Sequence, residues 1–169
     1  GYWRSLDKSD HSQLAQEFLR HGVTVAFNNY SLAPKVPLAE IVRQARAATA
    51  WCARNAARYG LPANEIYVAG HSAGGHLTAM QLTADWGKDA PDLPANFIKG
   101  AFAISGLYDL APLLQVSFNS DLRLTQDQIA PLSAAFMRPT VRAPLYLSVG
   151  GAESDEFKRQ TALLAQKWS

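Results

Sequence analysis

One run of residues carries more chemistry than any other in this chain: Gly70-His71-Ser72-Ala73-Gly74, a G-x-S-x-G. A serine hydroxyl is a weak nucleophile until geometry and a base activate it. The spacing supplies that geometry when the run follows a buried strand and opens a helix. Small residues at 70, 73, 74 and 75 then allow a bend too sharp for larger side chains. Both flanks read that way. Ile66 to Ala69 is a short apolar strand, and Leu77, Met80 and Ala84 mark a helix. In such a bend the Ser72 hydroxyl stands at the positive end of the helix, and the Ala73 N–H can point at a developing oxyanion. The chemistry would be acyl transfer. The plainer alternative is a glycine-rich turn holding an ordinary serine.

A nucleophilic serine needs a base, and a base needs a group to orient it. The histidines are His11, His21, His71 and His76. His76 lies four residues beyond Ser72 on the same helical face, so it alone is placed to come near. It reads better as a packing or loop-bonding residue. His71 is the variable position of the bend and a candidate to line the substrate. His11 and His21 read as surface or helix-end residues. Other candidates for the site's lining are Tyr108 and Asp109, at the mouth of a later strand, and Asn29, which with Asn28 and Tyr30 follows an earlier one. Asp109 also fits a helix cap, and Asn a turn. Arg123 could meet a substrate carboxylate but suits a plain surface position. Cys52 falls on an apolar helix stripe and reads as core.

The elements that would position these groups alternate strand and helix, which predicts an α/β fold with a mainly parallel sheet. Asp10 with Gln13 suggests a capping box for a first helix, with Leu14, Ala15, Phe18 and Leu19 as its apolar stripe and Gly22 as its stop. Val23 to Phe27 is expected to be a buried strand. A long helix is predicted from about Leu38 to Arg58, ended by Gly60 and Pro62. Ile98 to Ser105 and Leu145 to Val149 are further strands, and Phe157, Leu164 and Trp168 share one face of a last helix. Residues 106–143 carry only weak helical signals. A connection that long suggests a lid-like, substrate-binding insertion within one domain spanning 1–169.

Composition narrows the function classes. The chain has 169 residues, 48% hydrophobic and 18% charged, with sixteen basic against fourteen acidic side chains. A net charge of +2 is too small for a nucleic-acid or membrane-surface binder. One cysteine allows neither an internal disulfide nor a thiolate zinc site. No apolar run reaches the ~18 residues of a membrane span. The start at Gly1 and the stop inside a helical pattern read as an internal piece of a longer protein.

The stretches GHSAGGHL, GYW at the start, NNYSLAPKVPLAEIVRQ, SGLYDLAPLL and GGAESDEFKRQ together resemble the α/β-hydrolases of the kynurenine formamidase (arylformamidase) branch, related to the hormone-sensitive-lipase-like esterases. The resemblance implies a serine hydrolase with chain order Ser, acid, His. It makes Gly1, Tyr2 and Trp3 the last residues of a His-Gly-Gly-Tyr-Trp segment, whose Gly1 and Tyr2 amides join Ala73 around the oxyanion. It places the acid in the loop after Val149, at Glu153, where many relatives carry Asp; Asp155 is the rival, and neither remains possible. The acids there also suit a helix's first turn. No histidine follows His76, so the triad histidine is expected beyond Ser169 and this chain alone to be inactive. The expected substrate is a small aryl formamide such as N-formylkynurenine. A short-chain carboxylesterase is the runner-up, and a non-catalytic ligand-binding relative the alternative of another class. The resemblance implies no metal or organic cofactor, no nucleic-acid or membrane partner and a cytoplasmic setting, and it leaves a homodimer open.

Overall fold

The computed structural model describes residues 1–169. Three parallel strands form its sheet, β1 (Ile66–His71), β2 (Ile98–Ile104) and β3 (Leu145–Ser148), in the order β1-β2-β3. Seven helices accompany them: α1 (Ala15–Arg20), α2 (Leu38–Asn55), α3 (Ala73–Leu82), α4 (Trp86–Asp89), α5 (Asn119–Leu122), α6 (Gln126–Leu132) and α7 (Asp155–Lys167). Gly70 pairs with Ala103 and His71 with Ile104, while Ala103 pairs with Leu147 and Ile104 with Ser148. The C-terminal ends of all three strands are therefore level, and the loops that leave them meet at one edge.

The α/β expectation holds, with two differences. Val23 to Phe27 joins no ladder, and Val23 is 47% exposed. A parallel strand exists only through a neighbour's edge, and β1 is paired on one side alone, with β2. Without that strand the helix before it has nothing to cover. Leu14, Phe18 and Leu19 are exposed and α1 buries no residue. The capping box sits one turn earlier than the sequence suggests. Asp7 accepts from Ser9 and pairs reciprocally with Asp10 around a 3₁₀ turn, and Gln13 merely donates to the Asp10 carbonyl.

The other elements match their patterns. α2 buries Leu38, Ile41, Val42 and Ala45 along one stripe, and a 3₁₀ turn carries the chain to Gly60, whose φ of +71° is the left-handed stop a glycine allows. Cys52 is half-buried rather than core. α3 is buried almost all round, which explains why it lacks a polar face. The helices pack over the sheet face presenting Val68, Ala101, Ala103 and Leu147. Tyr67, Phe102 and Tyr146 lie on the opposite face and are exposed.

Residues 106–143 are not an open loop. Besides α5 and α6 they form 3₁₀ turns at Ala111–Gln115 and Ala134–Phe136, and they supply ten of the 22 residues of the main buried cluster, Leu110, Leu113, Ile129 and Leu132 among them. Each helix and turn of the segment is short, with Pro112 in the first 3₁₀ turn and Pro131 near the end of α6, which explains the weak periodicity.

Candidate active site

β1 runs into α3 through Ser72, at φ +56° and ψ −115°, a region an L residue enters only under constraint. Four contacts impose it. The Ser72 amide donates to the Ile104 carbonyl at 2.8 Å, while the Ser72 carbonyl accepts from His76 N–H at 3.1 Å, opening α3. Gly70 lies against the Gly74 backbone so closely that a β-carbon would overlap it. A β-carbon on Gly75 would stand 2.8 Å from Gly106 Cα, so α3 rests directly on the end of β2. The hydroxyl-bearing residue is thus raised above the strand ends at the helix's positive pole, with the Ala73 amide in the first turn.

Glu153 belongs to the loop leaving β3. Its Oε1 accepts from the Ser105 hydroxyl at 2.5 Å and from the Gly150 amide at 2.8 Å. These two donors, the hydroxyl first, hold its carboxyl below the usual glutamate range, and the charge of His71 adds to the effect. Asp155, the rival acid, is the first residue of α7. Its side chain is fully exposed, with only Lys158 at 3.7 Å. The structure thus separates the two acids: Glu153 turns back over the strand ends, and Asp155 points into solvent.

The N-terminal turn docks beside the bend. Tyr2 and Trp3 both have left-handed φ, and the Trp3 carbonyl accepts from the Ala33 amide at 2.9 Å. Trp3 is fully buried, edge-on to His76 of α3 at 5.0 Å between centroids. The Tyr2 ring meets Phe118 at 4.5 Å, and Arg4 lies over Phe118 while pairing with Asp121 at 2.7 Å. Segment 106–143 is therefore tied to the turn carrying Gly1 and Tyr2.

Several expected lining residues are otherwise engaged. Tyr108 is fully buried, its hydroxyl pressed against Gly106 and its pKa raised to about 12 by burial; it is a core residue, not part of a substrate surface. Asp109 caps the following turn through the Ala111 amide at 3.1 Å and pairs with Arg159 at 3.0 Å, so its carboxylate is committed. Asn29 donates to Asp7 and accepts from the Lys8 amide at 2.8 Å, fastening the N-terminal turn. His71 is exposed at the end of β1. Arg123, in left-handed conformation, ends α5. No group of three or more His, Cys, Asp or Glu is arranged to hold a metal. A concavity lined by Leu82, Val141, Leu145, Leu164 and Trp168 lies along the outer edge of β3 and includes none of these residues.

One residue that sequence reasoning passed over is Gln160. It is 1% exposed. Its Oε1 accepts from the Tyr108 and Asp109 amides, both at 2.7 Å, and its Nε2 donates to the Asp109 carbonyl and to Glu156. It joins α7, which follows the loop bearing Glu153, to the loop leaving β2. The available signal was a polar residue on an apolar stripe, three after Phe157 and four before Leu164.

His76 packs as the sequence suggests. It is fully buried, and its Nε2 lies 2.8 Å from the Leu132 carbonyl. Burial lowers its pKa from 6.5 to about 4. A neutral buried histidine stabilises the fold fully above pH 6.5, and the contribution is lost as pH falls from there toward 4. The shift corresponds to roughly 3 kcal/mol. Denaturant titrations at pH 7 and pH 4 are expected to show wild type losing that much more stability than His76→Gln. Equal losses would contradict the assignment.

Comparisons with known proteins bear on the fold and the family. A family model for the α/β-hydrolase fold matches residues 1–166, and the chain belongs to that family. Kynurenine formamidases of Salmo salar and Danio rerio are 31% and 32% identical over 166 residues, covering 95% of this chain and 54% of theirs. The chain spans about half the length of these curated relatives. A crystal structure from Silicibacter sp. TM1040, described as a candidate thioesterase, is 36% identical with a TM-score of 0.87, covering 99% of this chain and 61% of that one. Esterase 2 of Thermogutta terrifontis, phosphoramylated by tabun, superimposes with a TM-score of 0.78 at 20% identity, covering 99% and 63%, and shares the fold. The sequence-level resemblance to the kynurenine formamidase branch therefore stands, as does the α/β-hydrolase fold. No helix is long and apolar enough to cross a membrane.

Proposed function

We propose that this chain carries the nucleophile, the acid and the oxyanion donors of a serine hydrolase that cleaves small aryl formamides. The observation that carries the reading is the strained Ser72 at the tip of β1, level with Glu153 across one intervening strand. Two strand spacings, about 10 Å, separate β1 from β3, which leaves room for one imidazole between hydroxyl and carboxylate. His76 is buried against the Leu132 carbonyl and His71 is the variable position of the bend, so in this reading the base is a histidine outside residues 1–169.

Ser72 Oγ attacks the formyl carbon as its proton passes to the base, and the carbonyl oxygen becomes an oxyanion facing the Ala73, Gly1 and Tyr2 amides. The C–N bond then breaks, the aryl amine leaves with the proton from the imidazolium, and a formyl ester remains on Ser72. Water, deprotonated by the same imidazole, releases formate and restores the serine. Glu153 holds the imidazole in orientation throughout.

The formamide substrate is supported by the two kynurenine formamidases and by the Tyr2–Phe118 pair, an aromatic surface joined to the N-terminal turn. A short-chain carboxylesterase is the second reading, supported by esterase neighbours and by 30% identity to a hormone-sensitive lipase over 125 residues. Residues 106–143 would form the substrate wall in either case. The proposal includes a cytoplasmic setting and a small-molecule substrate without metal or organic cofactor, and leaves a homodimer open. The test is formate release from N-formyl-L-kynurenine by the full-length protein, against nitrophenol release from nitrophenyl acetate. A kcat/KM at least about tenfold higher for the formamide is expected. The opposite order would assign the esterase reading, and turnover of neither would refute both.

A further inference from the structure

Ser105, the residue after β2, is 1% exposed and held at φ +48°. Glycine adopts that conformation freely and serine does so at a cost, so a serine here calls for an explanation in its side chain. The backbone around it is braced on both sides. The preceding carbonyl, Ile104, accepts from the Ser72 amide at 2.8 Å, and the Ser105 amide donates to the Ser148 carbonyl at 2.8 Å. The turn aims the hydroxyl across to the acid loop, where it donates to Glu153 Oε1 at 2.5 Å.

The Gly150 amide donates to the same oxygen at 2.8 Å. A β-carbon at Gly150 would stand 2.9 Å from Oε1 and 3.3 Å from Glu153 Cγ, so the glutamate folds back through space that only a glycine leaves open. With Oε1 doubly bound, Oε2 is the oxygen left to accept from a partner.

We propose that Ser105 is a positioning residue for the acid: its hydroxyl and the Gly150 amide fix the Glu153 carboxylate so that Oε2 alone faces the base. The extra methylene of a glutamate makes such a fixture necessary, because its carboxylate has one more torsion to wander through than an aspartate's. The inference rests on the reading of Glu153 as the acid.

The test uses the full-length protein with Ser105→Ala and Ser105→Gly. Glycine removes the hydroxyl while relaxing the backbone, so it separates lost positioning from strain. Both variants are expected to lower kcat about tenfold or more, the loss of a hydrogen bond to a charged group, with KM changed less than about twofold. Carbon-13 NMR of the Glu153 carboxyl is expected to show its titration midpoint moving up in Ser105→Gly, because the donor that favours the ionised form is gone. Wild-type kcat in Ser105→Gly would overturn the proposal. So would a fall in kcat with the Glu153 midpoint unmoved, which would mark a structural effect only. Full activity in Glu153→Gln would instead refute the acid assignment, while the NMR shift still reported the Ser105–Glu153 bond.

Discussion

Ser72→Ala in the full-length protein is expected to lower kcat by roughly 10⁴- to 10⁶-fold and to abolish labelling by a fluorophosphonate probe. The size follows from what the hydroxyl does in the proposed reaction. It forms the bond that splits one difficult hydrolysis into two easier ones, and neither the oxyanion amides nor the acid replaces it. KM is expected to stay within a few-fold, since Ser72 contributes little surface to substrate binding. The acids supply the internal control. Asp155→Asn, changing a side chain in open solvent, leaves kcat within about twofold, whereas Glu153→Gln lowers it by roughly 10²- to 10⁴-fold. Labelling that survived in Ser72→Ala would end the hydrolase reading.

The second large effect concerns two glycines of the same bend. Gly70→Ala drives a β-carbon into the Gly74 backbone, and backbone cannot swing aside as a side chain can. The bend must open, breaking the contact that raises Ser72, with an expected stability loss of about 3 kcal/mol. Gly74→Ala meets nothing within 4 Å and lies in the first turn of α3. There alanine gains helix propensity of up to about 1 kcal/mol, so the variant is expected to be at least as stable as wild type. Thermal or urea unfolding of the pair decides the matter. A tolerated Gly70→Ala would mean that the bend is looser than its geometry implies.

Legibility in the sequence followed how local each determinant is. The bend at 70–75, the stripe of α2 and the Gly60 stop depend on residues within a few positions of one another, and the structure has them where the pattern puts them. Val23 to Phe27 has the composition of a strand, yet pairing is a property of the neighbour as much as of the segment. The exposed stripe of α1 follows from the same cause. Between Glu153 and Asp155 the sequence offered only a family resemblance that favoured Glu153. What parts them is a hydroxyl 48 residues away, at the end of another strand. Tyr108 and Asp109 did lie at the mouth of β2, but an aromatic ring can turn inward and a carboxylate can find an arginine fifty residues on. Pattern reading assigns a residue's neighbourhood and leaves its orientation open.

Gln160 has a practical bearing on attempts to change what the protein accepts. With one amide it grips the main chain at Tyr108 and Asp109 from a helix that starts just after the acid loop. Exchanging residues 106–143 for another protein's sequence would sever that grip unless the donor segment presented the same two N–H groups and one carbonyl. A cassette joined after Asp109 keeps the latch intact; one joined before it has to bring its own fastening.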